Sequence, residues 1–383
     1  MKRILAGFLV ASLFALAACG GRSPAGRSGA GAETVKIGWI GPLSGANKTY
    51  GESAKRGVEL ALEEAGYKVG DLTVELIAGD DRSDSTEAVN LATKMMTQDR
   101  VAAIIGPVTS GSAIAVSAIA ETYKVPMITA TATAPKVTVN DDGKRKPFVF
   151  RACFIDPFQG QAAANFASRE LGLKRAAVFY DKGNDYTIGL AEAFRETFEA
   201  NGGEVVAWQS YSSEDTDFSA IMTNVAALKP DVLYLPDYYG RVSLIAKAAK
   251  DKGINVPMLG GDGWDSPDLD SATLAGGYVT AHYSEQDQRE AVQQFATRFQ
   301  ERYGERPDSF AALGYDAAKL LLGAIERAGS TDGEALRAAL QSTQDFPAVG
   351  GQLSFDEWGN PIKSAALLQV QADGSYKYIT NVD

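Results

Sequence analysis

The chain has 383 residues, 45% hydrophobic and 22% charged, with a formal net charge of −11. This is globular arithmetic: it excludes a disordered or fibrous protein, and at about 100–200 residues per domain it predicts two domains. The acidic balance excludes a nucleic-acid partner, which needs a basic face. One histidine, His282, argues against His-dependent catalysis and a multi-His metal site, and two cysteines, Cys19 and Cys153, rule out a disulfide framework or Cys-rich zinc centre.

Lys2 and Arg3 precede an apolar run of fifteen residues from Ile4 to Ala18. That is shorter than the roughly 20 residues of an ordinary spanning helix and has the build of a signal peptide. It ends Leu16-Ala17-Ala18-Cys19. Small residues before a cysteine resemble the lipobox of bacterial lipoproteins, in which the chain is cut before the cysteine and its sulfur carries a diacylglyceryl group; a plain signal peptide is the alternative. The expectation is a signal peptide over 1–18, then lipidated Cys19 and a flexible linker over 19–33. The Gly, Ser, Ala and Arg of that linker cannot bury a core. Cys153 is then a small core residue.

From there strand and helix alternate. Residues 35–40 read as a strand and Gly41-Pro42-Leu43-Ser44-Gly45 as its turn; Ala54, Val58, Ala61 and Ala65 recur at helical spacing. A strand over 72–78 leads to a helix capped by Asp84 with Glu87 three residues on, running to about 97. Strand 101–105, helix 112–123, strand 126–129, strand 148–152 and a helix from about 157 to 171 follow. A second series takes strand 176–180, helix 188–200, strand 204–208, helix 218–228, strand 232–235, helix 242–252 and strand 257–259. Helices resume near 288–303, 309–328 and 333–342, and the tail ends in hairpin-like strands over 353–355, 365–370 and 376–379. Regular alternation predicts an α/β fold of parallel sheets covered by helices on both faces, here as two doubly wound lobes.

No catalytic or nucleotide motif is present: the 41–45 turn is neither a nucleophile elbow nor a P-loop, and Gly261-Asp262-Gly263 lacks a third glycine. Asp80-Asp81 fits helix capping better than a metal site. What remains is a set of polar segments just past strand ends, where open α/β sheets bind ligands. Ile104 to Ser112 offers hydroxyls and free backbone N–H groups suited to a carboxylate, and Met127 to Pro135 is rich in threonine. The second series contributes Asp181 to Tyr186, Pro236 to Tyr239 and Gly260 to Asp265, with aromatics and a carboxylate. An α-amino acid between the two halves would have each charge met.

The motifs V-K-I-G-x-I-G-P-L-S-G, I-I-G-P-V-T-S, P-M-I-T-A-T-A-T-A-P, D-V-L-Y-L-P-D-Y-Y and G-G-D-G-W, in this order, make residues 33–378 resemble the leucine/isoleucine/valine-binding protein family. These are the solute-binding proteins of branched-chain amino acid ABC transporters. The resemblance implies the type I periplasmic binding protein fold, with a ligand between lobes made of 34–153 plus 282–354 and 154–281 plus 355–383. It implies three inter-lobe crossings, near 152–156, 280–284 and 353–357. It places Ser110 on the ligand carboxylate, Thr133 and Asp262 on the ammonium, Thr131 at a nearby carbonyl contact, Tyr186 and Tyr238 across the cleft, and Tyr50 over the ligand side chain. Trp264 reads as packing. Asp262, in a Gly-rich turn, is expected to serve the ligand without supporting the fold.

The function so implied is a membrane-tethered, non-enzymatic, monomeric receptor that needs no cofactor and delivers a hydrophobic amino acid to a permease. Relatives that take amides, urea or aromatic acids keep a second ligand class open, and an enzyme is the remaining alternative, although no base accompanies Ser110.

Overall fold

The structure, a computed structural model, describes residues 33–382. The expected signal peptide, the lipobox with Cys19 and the linker up to Ala32 lie outside the described residues. Among the described residues no helix is long and apolar enough to cross a membrane.

Two sheets carry the architecture. The first runs, edge to edge, Lys68–Val69, Leu72–Asp80, Thr34–Gly41, Ala103–Ile105, Met127–Thr129 and Val149–Arg151. Its central strand is buried on both faces. Ile37 and Trp39 pack toward helices Lys48–Glu64 and Ser309–Ala328, and Ile40 toward Ser85–Lys94 and Ser110–Tyr123. Such burial is why residues 35–40 read as an almost continuous apolar run. The second sheet runs Tyr376–Val382, Ala365–Val370, Tyr278–Ala281, Met258–Gly260, Val232–Tyr234, Arg175–Asp181 and Glu204–Tyr211. A small antiparallel sheet of Phe346–Ala348, Gly351–Phe355 and Pro361–Ile362 precedes the last two strands in the chain.

Both sheets are parallel at their centres and antiparallel at one edge each; the opposite edge strands, Val149–Arg151 and Glu204–Tyr211, pair in parallel. Lys68–Val69 turns straight back on Leu72–Asp80, and the 365–370 and 376–382 strands form a hairpin that joins the second sheet through Tyr278–Ala281. Connections this short permit only antiparallel pairing, because a parallel crossover needs about a dozen residues.

The chain leaves the first sheet after Arg151 and enters helix Asp156–Asn165, which packs on Asp185–Ala200 beside the second sheet. It returns after Ala281. Helix Ser309–Ala328 then lies flush on Lys48–Glu64: a Cβ on Gly57 would stand 2.0 Å from the Ala311 carbonyl oxygen, and one on Gly314 2.1 Å from that of Ala54. Two glycines thus let the backbones touch and bind residues far apart in sequence into one lobe. The chain enters the second sheet for the last time at Ala365.

Several boundaries differ from the sequence expectation for local reasons. The 112–123 helix opens at Ser110, and the 188–200 helix at Asp185, where the Asn184 side chain accepts the Tyr186 N–H at 3.1 Å. Capping turns carry no apolar periodicity, so the pattern starts late. The 157–171 helix is α-helical over Asp156–Asn165 and closes in a π-helical turn, Phe166–Glu170. Strand Tyr278–Ala281 and the short helix Ser271–Leu274 gave no sequence signal. Asp84 caps its helix by accepting the Glu87 N–H at 2.8 Å, and Asp80 accepts Leu43 N–H at 2.8 Å and the Ser44 hydroxyl at 2.6 Å. Cys153 is buried and its thiol is pushed up to about 12 by burial.

Candidate ligand-binding site

The first lobe contributes the loops that follow its parallel strands. Gly106 has φ +108° and a Cβ there would meet the Ile40 carbonyl oxygen at 2.2 Å, so only glycine makes this turn. The turn sets helix Ser110–Tyr123 with its N-terminus, and the unpaired N–H groups of its first turn, at the cavity described below. The Ser110 hydroxyl oxygen accepts the Ala134 N–H at 3.2 Å. The Thr131 hydroxyl donates to the Val108 carbonyl at 2.7 Å, which leaves its own carbonyl as the group it can offer. Thr133 is buried and its carbonyl takes the Asp156 N–H at 3.1 Å.

The second lobe contributes a carboxylate held by neutral donors. Asp262 Oδ1 accepts the Tyr186 hydroxyl at 2.8 Å and Gln159 Nε2 at 3.1 Å; Oδ2 lies 3.0 Å from His282 Nε2. The Asp262 N–H donates to Gln159 Oε1 at 3.0 Å, and the Gly263 N–H to the Tyr186 oxygen at 2.9 Å. Burial pushes the Tyr186 hydroxyl far above its ordinary range, reinforced by the Asp262 charge, so it stays a donor. Burial also pulls His282 down to about 4, against the opposing pull of Asp262, so the imidazole is neutral at pH 7. The Tyr238 ring stacks on Tyr186 with centroids 5.1 Å apart. Trp264 is packing: it is buried and donates Nε1–H to the Leu235 carbonyl at 2.9 Å.

The lobes are closed on each other. Tyr50, buried in the first lobe, stacks on Phe310 at 4.2 Å; its hydroxyl donates to the Gly263 carbonyl and accepts the Tyr239 N–H at 3.2 Å. Thr49 and Ser266 hydroxyls meet at 3.0 Å, Ser309 N–H donates to Asp265 Oδ2 at 2.9 Å, and Lys136 pairs with Asp185 at 3.0 Å. Between them lies a cavity of about 20 Å³ for the centre of a water-sized sphere. All seven expected contact residues, Tyr50, Ser110, Thr131, Thr133, Tyr186, Tyr238 and Asp262, line it.

One expectation is overturned. Asp262 is not a turn-surface residue: it is 3% exposed and is the common hydrogen-bond partner of Tyr186, Gln159 and His282. Sequence reasoning also missed Val108 and Phe310 in the wall, Gln159 and His282 behind Asp262, and Asp156. Asp156 is fully buried beside Thr133; among the described residues neither of its oxygens has a partner in hydrogen-bond geometry, and burial drives its carboxyl well above the usual range. The only signal for any of these was that His282 is unique in the chain.

The Periplasmic binding protein family model matches residues 34–375. The chain belongs to this family. Membership makes it an extracytoplasmic solute-binding protein with a two-lobe α/β fold. It is 32% identical to the Leu/Ile/Val-binding protein BraC3 of Rhizobium johnstonii, over 85% of this chain and 88% of that one. Among solved structures, a leucine-binding protein LivK of Thermotoga maritima aligns with TM-score 0.86 and 38% identity over 91% of this chain and 99% of that one. The LivJ protein of Streptococcus pneumoniae, in complex with isoleucine, aligns with TM-score 0.85 and 30% identity over 91% and 99%. A Rhodopseudomonas palustris solute-binding protein in complex with benzoate aligns with TM-score 0.81 and 27% identity over 91% and 96%.

Proposed function

We propose that this periplasmic binding protein captures a small amino acid of the branched-chain or hydrophobic class between its closing lobes and delivers it to an ABC permease. The carrying observation is the cavity's charge arrangement: a helix N-terminus at Ser110 on one lobe and the Asp262 carboxylate on the other. Ser110 and the N–H groups around it receive the ligand carboxylate. Asp262 has hydrogen bonds from neutral groups, and among the described residues its ion-pair partner is His282, neutral at pH 7. A buried carboxylate without a cation is costly, and a ligand ammonium supplies one, with Thr133 beside it. Tyr50, Phe310 and Val108 form the apolar wall for an aliphatic side chain. Benzoate-like acids lack the ammonium, so the same site disfavours them.

The protein binds and does not turn its ligand over: the Ser110 hydroxyl has a backbone N–H for a neighbour, and the single histidine is committed to Asp262. The lobes hinge about the crossings near 152–156 and 280–284 and a third near 362–365 instead of 353–357, because residues 355–362 pack on the first lobe: Phe355 pairs with Pro361, Phe150 meets Phe355 at 5.3 Å and the Thr138 hydroxyl donates to Asn360 Oδ1 at 3.1 Å. The lobes are then 34–153 plus 282–362 and 154–281 plus 365–382, and the protein works as a monomer. Cys19, after Leu16-Ala17-Ala18, carries a lipid that tethers it to the membrane; Cys19→Ser, exported through an ordinary cleavable signal, is then soluble and binds normally, and its retention on washed membranes refutes the anchor.

A thermal-shift screen of the twenty amino acids, simple amides, urea and benzoate tests the ligand, since a ligand that binds only the native state raises its stability. Leucine, isoleucine or valine is expected to give the largest shift and to be recovered unchanged. A larger shift with benzoate or an amide, or none with any amino acid, overturns the reading.

A further inference from the structure

We propose that His282 is a positioning residue: it holds the Asp262 carboxylate in the orientation that meets an amine, and so makes the site prefer an amino acid to its des-amino analogue. This rests on the amino-acid reading above.

The geometry is specific. Tyr186 and Gln159 both bond Oδ1, and His282 Nε2 at 3.0 Å is the partner of Oδ2. Among the described residues nothing partners His282 Nδ1, so the ring's one proton belongs on Nε2, where it donates to the carboxylate. The imidazole plane is set by Phe154, stacked at 3.5 Å and 24°. A carboxylate offers about four lone-pair sites. Three are occupied here from three separate segments, which stops rotation about Cβ–Cγ and leaves one site for an incoming N–H. With His282 gone, Oδ2 loses the partner that defines its direction.

The donor's neutrality matters as much as its place. A lysine or arginine there would neutralise Asp262 and compete with the ligand's ammonium. A neutral imidazole aligns the carboxylate and leaves its negative charge to the ligand. His282 and Phe154 both lie where the chain passes between the two sheets, so the carboxylate is braced on the same segments that carry closure.

Competition calorimetry on the mature protein tests this with leucine, isoleucine and valine, each against its des-amino acid (4-methylpentanoate for leucine). The wild type is expected to prefer the amino acid by about 100-fold or more. His282→Leu should lose about tenfold or more in amino-acid affinity while the des-amino acid changes by less than about threefold. His282→Gln, whose amide reaches the same oxygen, should keep the wild-type ratio within about threefold. If His282→Leu does not fold, His282→Asn, too short to reach Oδ2, is read in its place. An unchanged ratio, or equal weakening of both ligands, overturns the positioning role. A wild type that binds no amino acid, or binds both ligands alike, overturns the amino-acid reading itself and this inference with it.

Discussion

Tyr50 accepts the backbone N–H of Tyr239 at 3.2 Å, a hydrogen bond that exists only because the first lobe has closed on the second. The same hydroxyl donates to the Gly263 carbonyl, next to Asp262. One phenol therefore reports the state of the cleft. Tyr50→Phe keeps the stack on Phe310 and deletes both bonds. At about 0.5–1.5 kcal/mol per net hydrogen bond, it should weaken ligand binding by roughly tenfold. Calorimetry measures it, with scattering to show whether the ligand-free variant opens more.

The cross-lobe ion pair carries little. Lys136 and Asp185 pair at 3.0 Å, but their side chains are 56% and 37% exposed. Exposed pairs are worth about 0–1 kcal/mol and are screened by salt. Lys136→Ala should change affinity by less than about fivefold, and the residual effect should vanish at high salt. A large, salt-independent loss would mean that this pair latches the closed form.

Asp262→Ala should weaken amino-acid binding by roughly 100-fold or more. Breaking a buried pair costs about 3–5 kcal/mol, and about 1.4 kcal/mol is a factor of ten. The same change should also lower thermal stability, because Tyr186, Gln159 and His282 lose their common acceptor. Asp262→Asn should bind poorly too, since its amide turns a donor toward donors. Near-wild-type affinity in the alanine variant would place the ammonium elsewhere; an unchanged melting temperature would show that the network does not support the fold.

The pH dependence of His282 has a definite sign. Its folded value is pulled down to about 4 by burial, whereas an unfolded histidine titrates near 6.5. Between those values the unfolded chain holds a proton that the folded one lacks. The His282 contribution to stability is therefore complete above about pH 6.5 and is lost as pH falls toward 4. Asp262 faces the ring from one side, and Lys363 adds a repulsion that lowers it further. Buried Asp81, Asp237 and Asp316, each raised to about 6 by burial, act oppositely, adding stability at low pH that is lost as pH rises through 6. The quantity to measure is thus the stability difference between wild type and His282→Gln. It should shrink on acidification by up to about 1.4 kcal/mol per pH unit in that window. A pH-independent difference would mean that the imidazole is not held neutral.

The sequence alone determined the strand–helix alternation, the two α/β series and the strand-end segments that line the cavity, because these follow from local periodicity, caps and glycine turns. Ser110 and Thr133 stand on such segments, and Asp84 signalled its own helix. Tertiary structure alone decided three things. It laid Ser309–Ala328 against Lys48–Glu64, where Gly57 and Gly314 admit a close approach that no periodicity announces. It buried Asp262, which a Gly-rich turn made look exposed. And it brought Gln159 and His282 onto that carboxylate from 103 and 20 residues away in sequence. A buried polar partner has no repeating signature: it is chosen by a single donor meeting a single acceptor in space, once the apolar pattern has already placed both backbones.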